Sequence, residues 1–316
     1  MSANSDAGVS NGVIHDIGYR SYDGERLGRG GIVAALTWHS LRSAFGLRRG
    51  ARAKIIPVLT FVIMCLPAVV NAAAVALTHS HQRQVPYDTY VPALRILVLL
   101  AFIAAQAPEL VSRDLRSHTL PLYFARPIQR TDYPAAKLAA FFLACLIMIE
   151  VPLLLLYIGT VTQVHGASAI WAETRALIPG LLLGVAWAAV LSSLGLLLAS
   201  FSGRRAFATG SVVIFLFLTY TLASLLIHIG STSAFAGHAG LGGPQAGPPV
   251  SALSRLAGLI SPFTVLDGVR EWLGGTSPGQ VPHPGGYGPA YGVMLLVYLG
   301  IGAGGLILRY REVGVA

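Results

Sequence analysis

Lysine and cysteine are almost absent from this 316-residue chain, which has two lysines, Lys54 and Lys137, and two cysteines, Cys65 and Cys145. Each lysine follows an alanine, so the Gly-Lys-Ser/Thr of a phosphate-binding loop, whose backbone amides and lysine hold nucleotide phosphates, does not occur. Nothing in the chain therefore points to an enzyme that binds ATP by that motif. The two cysteines sit in apolar runs without metal-ligand spacing and read as small packing residues; they supply no disulfide framework. Charge is also scarce, at 11% of residues against roughly 25% in a soluble domain. Residues 1–31 are rich in Ser, Gly, Asp and Arg and lack an apolar signal-peptide core, so the first long apolar run is the expected targeting element.

Apolar residues make up 54% of the chain and the mean hydropathy is +0.66, a composition for which a bilayer is the natural solvent. About 20 apolar residues cross the hydrocarbon core, and six runs meet that length: 55–78, 91–111, 138–159, 176–202, 206–229 and 288–308. Backbone polar groups inside lipid must pair within their own segment, so the spans are expected to be helices, kinked locally at Pro57, Pro67 and Pro152. The fold class is an all-α integral membrane protein with six transmembrane helices.

Basic residues favour the cytoplasmic side of short loops. With the N-terminus inside, eight precede the first span, five lie from Arg113 to Lys137, two are Arg204 and Arg205, and two are Arg309 and Arg311; together these are 17 of the 22. Both termini are then cytoplasmic. The net charge of +9 is accounted for by this asymmetry and by anionic lipid head groups, and no nucleic-acid partner is expected.

Residues 1–30 read as a flexible cytoplasmic segment and 31–54 as an interfacial helix with a basic flank, because Trp38, Leu41 and Phe45 recur at helical spacing beside Arg42, Arg48 and Arg49. The alternative is a basic flank serving only as a topology signal. The spans occupy 55–308 and a short tail 309–316 follows. The outer loop 230–287 begins and ends Gly/Pro/His-rich, but 250–260 and 263–273, parted by Pro262, carry helical apolar patterns: Leu253, Leu256 and Ile260, then Val265, Leu266, Val269 and Leu273. Two short outer helices, or one amphipathic helix on the surface, fit this pattern.

Other signals are weak. Gly275-Thr-Ser-Pro-Gly279 matches a hydrolase elbow without its strand and helix, and Gly300, Gly302 and Gly305 match a dinucleotide pattern inside the last span, where close helix packing explains them better. Gly180 and Gly184 offer a similar small-residue surface in the fourth span. His79, His81, His228, His238 and His283 fall on the outer side with no Cys or carboxylate at metal-site spacing, and read as surface histidines. No metal site is expected. Glu150 is the acidic residue deepest within a span, and an ionised group there costs roughly 3 kcal/mol. It is expected to face the interior, either paired with Arg95, on a substrate pathway, or protonated and hydrogen-bonded.

Residues 108–137 form a short charged loop, broken by proline, between two apolar runs. Glu109 and Arg113, and Asp114 and His118, are spaced i,i+4, so 111–119 is expected to prolong the second span as a charged helix that Pro121 ends. Leu120, Leu122, Tyr123 and Phe124 then stand among Arg116, Arg126 and Arg130, a mixture of aromatic and arginine residues suited to a protein interface. The order of Glu109, Arg113, Asp114, Arg116, Thr119, Leu120, Leu122, Tyr123, Arg126, Pro127, Ile128, Asp132, Tyr133 and Lys137 resembles the cytoplasmic loop of type-two ABC exporter permeases. The specific likeness covers about thirty residues; span number and loop lengths extend it loosely.

The resemblance implies a coupling loop over 112–137, acting through Glu109, Arg113, Asp114, Arg116, Leu120, Tyr123 and Arg126. It implies two copies of a separate ABC ATPase, which would carry the ATP and magnesium while this chain holds no cofactor. It further implies a second permease chain (a homodimer more readily than a heterodimer), an interfacial elbow helix, outer helices between the last two spans, and the bacterial plasma membrane as location. An ion- or proton-coupled secondary transporter is the alternative, although no internal repeat is visible; a non-transporting membrane anchor is a third reading.

Overall fold

The computed structural model describes residues 24, 28–47, 49–78, 85–90, 95–117, 119–124, 128–238, 251–275 and 279–312, with backbone alone for Thr78, Arg95, Phe124 and 232–238. The described residues are helical and contain no strand. In chain order the helices are α1 (Arg29–Ala44), α2 (Ala51–Thr78), α3 (Arg95–Leu110), α4 (Ser112–Arg116), α5 (Leu120–Phe124), α6 (Asp132–Val161), α7 (Ala167–Ser200), α8 (Arg205–His238), α9 (Ala252–Ala257), α10 (Pro262–Trp272), α11 (Gly288–Leu299) and α12 (Gly305–Glu312), the last two joined without a break by a π-helical segment, Gly300–Gly304. Six of these stretches are long and apolar enough to cross a bilayer: Ala51–Leu77, Ile96–Arg116, Asp132–Val161, Ala167–Ser200, Arg205–Ser231 and Gly285–Glu312.

The helices overrun the apolar stretches read from sequence. At a rise of about 1.5 Å per residue, α7 is roughly 50 Å long, more than the ~30 Å hydrocarbon core requires. Its first turns carry Trp171 with Arg175 over the ring, and Glu173, which accepts a 3.0 Å hydrogen bond from Tyr87. Pro57 and Pro67 lie inside α2 and Pro152 inside α6, and both helices run on through these sites of expected kinks. Beside Pro57 the Thr60 hydroxyl donates to the carbonyls of Ile56 and Pro57 at 2.8 and 3.0 Å, the i−4 and i−3 back-bonds that a threonine makes inside a helix.

Helix α6 is the hub: α1, α2 and α7 pack on it, while α3 packs on α7 and α8. Phe102 of α3 stacks on Phe141 of α6 at 6.1 Å, and Phe45 meets Phe102 from the end of α1. Small residues set the close crossings, since lipid tails are as apolar as leucine and helices must gain from contact instead. A Cβ on Gly302 would lie 2.5 Å from Ser193 Oγ on α7, and one on Gly184 would lie 2.2 Å from Glu150 Oε1 on α6. Gly300 has no such neighbour among the described residues, and Gly180 faces Tyr87 rather than a helix.

The stripe expected on the first helix is divided. Leu41 and Phe45 pack into the bundle with buried Leu36, Ser40 and Ala44, whereas Trp38 is exposed under the Arg42 guanidinium at 4.6 Å. The turn to α2 depends on Gly46, whose φ of +68° favours glycine and where a Cβ would stand 2.5 Å from the Ala53 carbonyl oxygen.

Two short helices are present between α8 and α11, parted as expected at Pro262, which opens α10 behind the Ser261 cap. They form a hairpin laid along α11. Trp272 meets Gly288, Gly268 and Gly258 meet the Tyr291 ring, and Phe263 reaches Trp187 of α7 at 5.6 Å. Tyr291 donates to the Arg255 carbonyl, and Tyr298 to that of Ile260 at 2.7 Å. The hairpin tip therefore lies level with Tyr298, ten residues into the last span. Val265, Leu266 and Val269 are buried as their pattern predicts, but Leu253, Leu256 and Leu273 point outward, and Ser254 and Ala257 are the buried positions of α9.

Candidate functional site: the basic end of the bundle

The second span does not run unbroken into the loop. Helix α3 ends at Leu110, Val111 turns the chain (φ −120°, ψ −53°), and α4 restarts at Ser112, whose hydroxyl donates to the Ala199 carbonyl of α7 at 2.8 Å. Helix α4 closes at Ser117, which bonds the Arg113 carbonyl through both its amide and its hydroxyl. The break thus precedes Pro121. That proline sits in the first turn of α5, where its missing amide costs nothing.

Asp114 is the centre of the loop. Its Oδ2 receives Lys137 Nζ at 2.7 Å and the Tyr133 hydroxyl at 2.8 Å, both from α6. The Lys137 side chain is only 6% exposed, so its charge depends on this carboxylate. Tyr133 is fully buried, packed between Tyr123 of α5 at 5.4 Å and Tyr310 of α12 at 5.1 Å. One carboxylate and three rings therefore join the loop to the third and sixth spans.

Two further clamps hold this end. Arg29, opening α1, reaches both Asp132 oxygens at 2.8 and 2.7 Å and Gln129 Oε1 at 2.9 Å, and Asp132 also accepts from the Gln129 amide. The hydrogen bonds to Asp132 hold the Arg29 guanidinium above its ordinary pKa. Glu109 is buried and binds Arg49 at 2.7 Å and Arg205 at 2.6 Å, not Arg113 as the i,i+4 spacing suggested. The turn at Val111 takes Arg113 off the Glu109 register, and two arginines remote in sequence fill both carboxylate oxygens. Arg130 and Arg309 add contacts to the Arg311 and Ser200 carbonyls.

The expected coupling residues thus divide. Glu109, Leu120 and, in part, Asp114 and Tyr123 face inward and hold the loop, while Arg113, Arg116 and Leu122 are exposed, Leu122 at 70%. Arg126, Pro127 and His118 lie outside the described residues. Sequence reading missed Arg29, Tyr310 and the Glu109 ligands Arg49 and Arg205 as members of this site. No local spacing links them, and only their shared placement on the basic side gave a signal.

Within the spans, Glu150 lies against Gly184, and neither carboxyl oxygen has a hydrogen-bond partner among the described residues. The Arg95 side chain lies outside the described residues, as do His79, His81 and the side chain of His238. At the opposite end Arg270 is buried among Asp267 at 3.0 Å, Asp88 at 3.1 Å and Glu271 at 2.6 Å. Burial opposes the guanidinium charge, and these carboxylates outweigh it, holding the pKa above its ordinary value. Asp267 and Glu271 also accept the amides of Gly279, Gln280 and Val281, so this cluster fastens the chain that leads into α11. No group of three metal-ligating side chains occurs among the described residues. No known family model matches the chain and no curated protein matches it.

Proposed function

We propose that the chain is the permease subunit of an ATP-driven exporter of the type-two ABC kind in the bacterial plasma membrane. It would act as a pair of chains, each docked on one copy of a separate ATPase that carries the ATP and magnesium. The observation that supports this is the two-sided build of 112–124. Asp114 and Tyr123 pin its inner side to Lys137, Tyr133 and Tyr310, while Arg113, Arg116 and Leu122 stand free on its outer side. A push on such a segment moves α6 and α12 with it. On this reading the basic end is cytoplasmic, α1 lies in the interface with Trp38 toward lipid, and the α9–α10 hairpin re-enters the outer leaflet. The substrate class is a drug, lipid or peptide.

Co-expression with the ATPase encoded nearest the gene, followed by copurification, tests it. Arg116→Glu and Leu122→Asp should each reduce ATPase recovery at least tenfold, since interface anchors contribute about 2 kcal/mol or more, while melting in detergent stays unchanged. Wild-type copurification and export by both variants would overturn the proposal.

Glu150, whose carboxyl oxygens have no hydrogen-bond partner among the described residues, favours a second reading, a proton-coupled transporter, because intramembrane carboxyls commonly serve as proton relays. In proteoliposomes without any ATPase, such a protein would move substrate down an imposed pH gradient and Glu150→Gln would stop it. ATP-dependent transport unaffected by that gradient removes this reading.

A further inference from the structure

The basic end contains a cavity of about 620 Å³ between the start of α2, the end of α3 and the start of α8, lined by Arg49, Arg52, Arg205, Glu109, Gln106 and Ile56 among others. Three guanidiniums and one carboxylate give its wall a net charge of +2. Glu109 is already engaged on both oxygens, whereas Arg52 is exposed and has no ion-pair partner among the described residues. Gln106 is 3% exposed, lines the cavity, and has an Oε1 with no hydrogen-bond donor among the described residues. A buried acceptor left this way costs free energy until a donor reaches it.

We propose that this cavity binds a phosphate-bearing anion that also carries a hydroxyl or ammonium donor. The guanidinium forks match phosphate oxygens bidentately, and the donor completes Gln106 Oε1, which a fully ionised phosphate alone cannot do. Beyond Ile56 the same helix carries an apolar groove of about 370 Å³ lined by Phe61, Val62, Cys65, Leu66, Val69 and Val70. From Ile56 to Val69 is about 20 Å along the helix, enough to follow an acyl chain through one leaflet's hydrocarbon. A glycerophospholipid with an anionic, hydroxyl-bearing head group meets both halves; a soluble glycerophosphate meets the basic half alone. Neither requires the exporter reading.

The full-length protein in phosphatidylcholine nanodiscs doped with phosphatidylglycerol, released into native mass spectrometry, reports which lipid is retained. Wild type should keep phosphatidylglycerol in preference to phosphatidylcholine. Arg52→Gln and Gln106→Met should each weaken that retention about tenfold, as expected for one charge-assisted contact or one satisfied buried acceptor. Arg204→Gln, an exposed neighbour that does not line the cavity, should change nothing. Equilibrium binding of glycerol 1-phosphate, measured on the same four proteins, separates the sources. Tight binding that weakens in the two cavity variants assigns the site to a free anion; weak binding beside strong lipid retention assigns it to lipid. Retention and glycerol phosphate binding that are the same in wild type and both cavity variants, or that fall equally in Arg204→Gln, would overturn the site.

Discussion

Asp114 and Lys137 show what one buried pair does at the edge of a bilayer. Each side chain is poorly solvated, and the two meet at 2.7 Å. Breaking a buried pair leaves the survivor uncompensated, at a cost of about 3–5 kcal/mol. Asp114→Asn should therefore lower thermal stability in detergent strongly, and adding Lys137→Met should recover much of the loss. A double variant as unstable as the single would show that Asp114 acts chiefly through Tyr133. Gly46 makes a backbone argument instead. Alanine there forces a left-handed φ and meets the Ala53 carbonyl, so Gly46→Ala should cost at least about 1–2 kcal/mol. Unchanged melting would show that the α1–α2 turn relaxes freely.

Among the elements, the α9–α10 hairpin depends on Tyr291, whose ring lies between Gly258 and Gly268 and whose hydroxyl reaches Arg255. Tyr291→Phe should cost about 1 kcal/mol, one hydrogen bond. Gly268→Val drives a side chain into the ring and should cost more, about 1–3 kcal/mol from overpacking; limited proteolysis of the outer loop 273–288 should accelerate in the valine variant first. The hairpin also marks where sequence reading stopped. The break at Pro262 and the six long helices were legible because lipid imposes length and forces each segment to satisfy its own backbone. Facing was not. An apolar stripe is expected to point inward, but Leu253, Leu256 and Leu273 are exposed and the contacts fall to Ser254, Ala257 and Gly268, small residues that allow close approach. Glu109 escaped for a related reason: local spacing offered Arg113, and the partners came from 60 residues earlier and 96 later.

Across the whole molecule, charge is divided by end. Arg29, Arg49, Arg130, Arg205, Arg309 and Lys137 are joined at one end through Asp132, Glu109, Asp114 and the carbonyls of Ser200 and Arg311. Arg270 lies at the other, locked among three carboxylates. Among the described residues net positive charge is thus concentrated at one end, the condition under which basic residues hold their loops in the cytoplasm. That predicts opposite accessibility for two serines. A cysteine at Ser117, in the turn after α4, and one at Ser277, between α10 and α11 in the sequence, each in a background without Cys65 and Cys145, should differ in intact cells. A membrane-impermeant maleimide should label the Ser277 position at once and the Ser117 position only after permeabilisation. Labelling of both before permeabilisation would rule out the odd number of crossings, α6, α7 and α8, between them; the reverse order would invert the molecule and place 112–124 out of reach of any cytoplasmic ATPase.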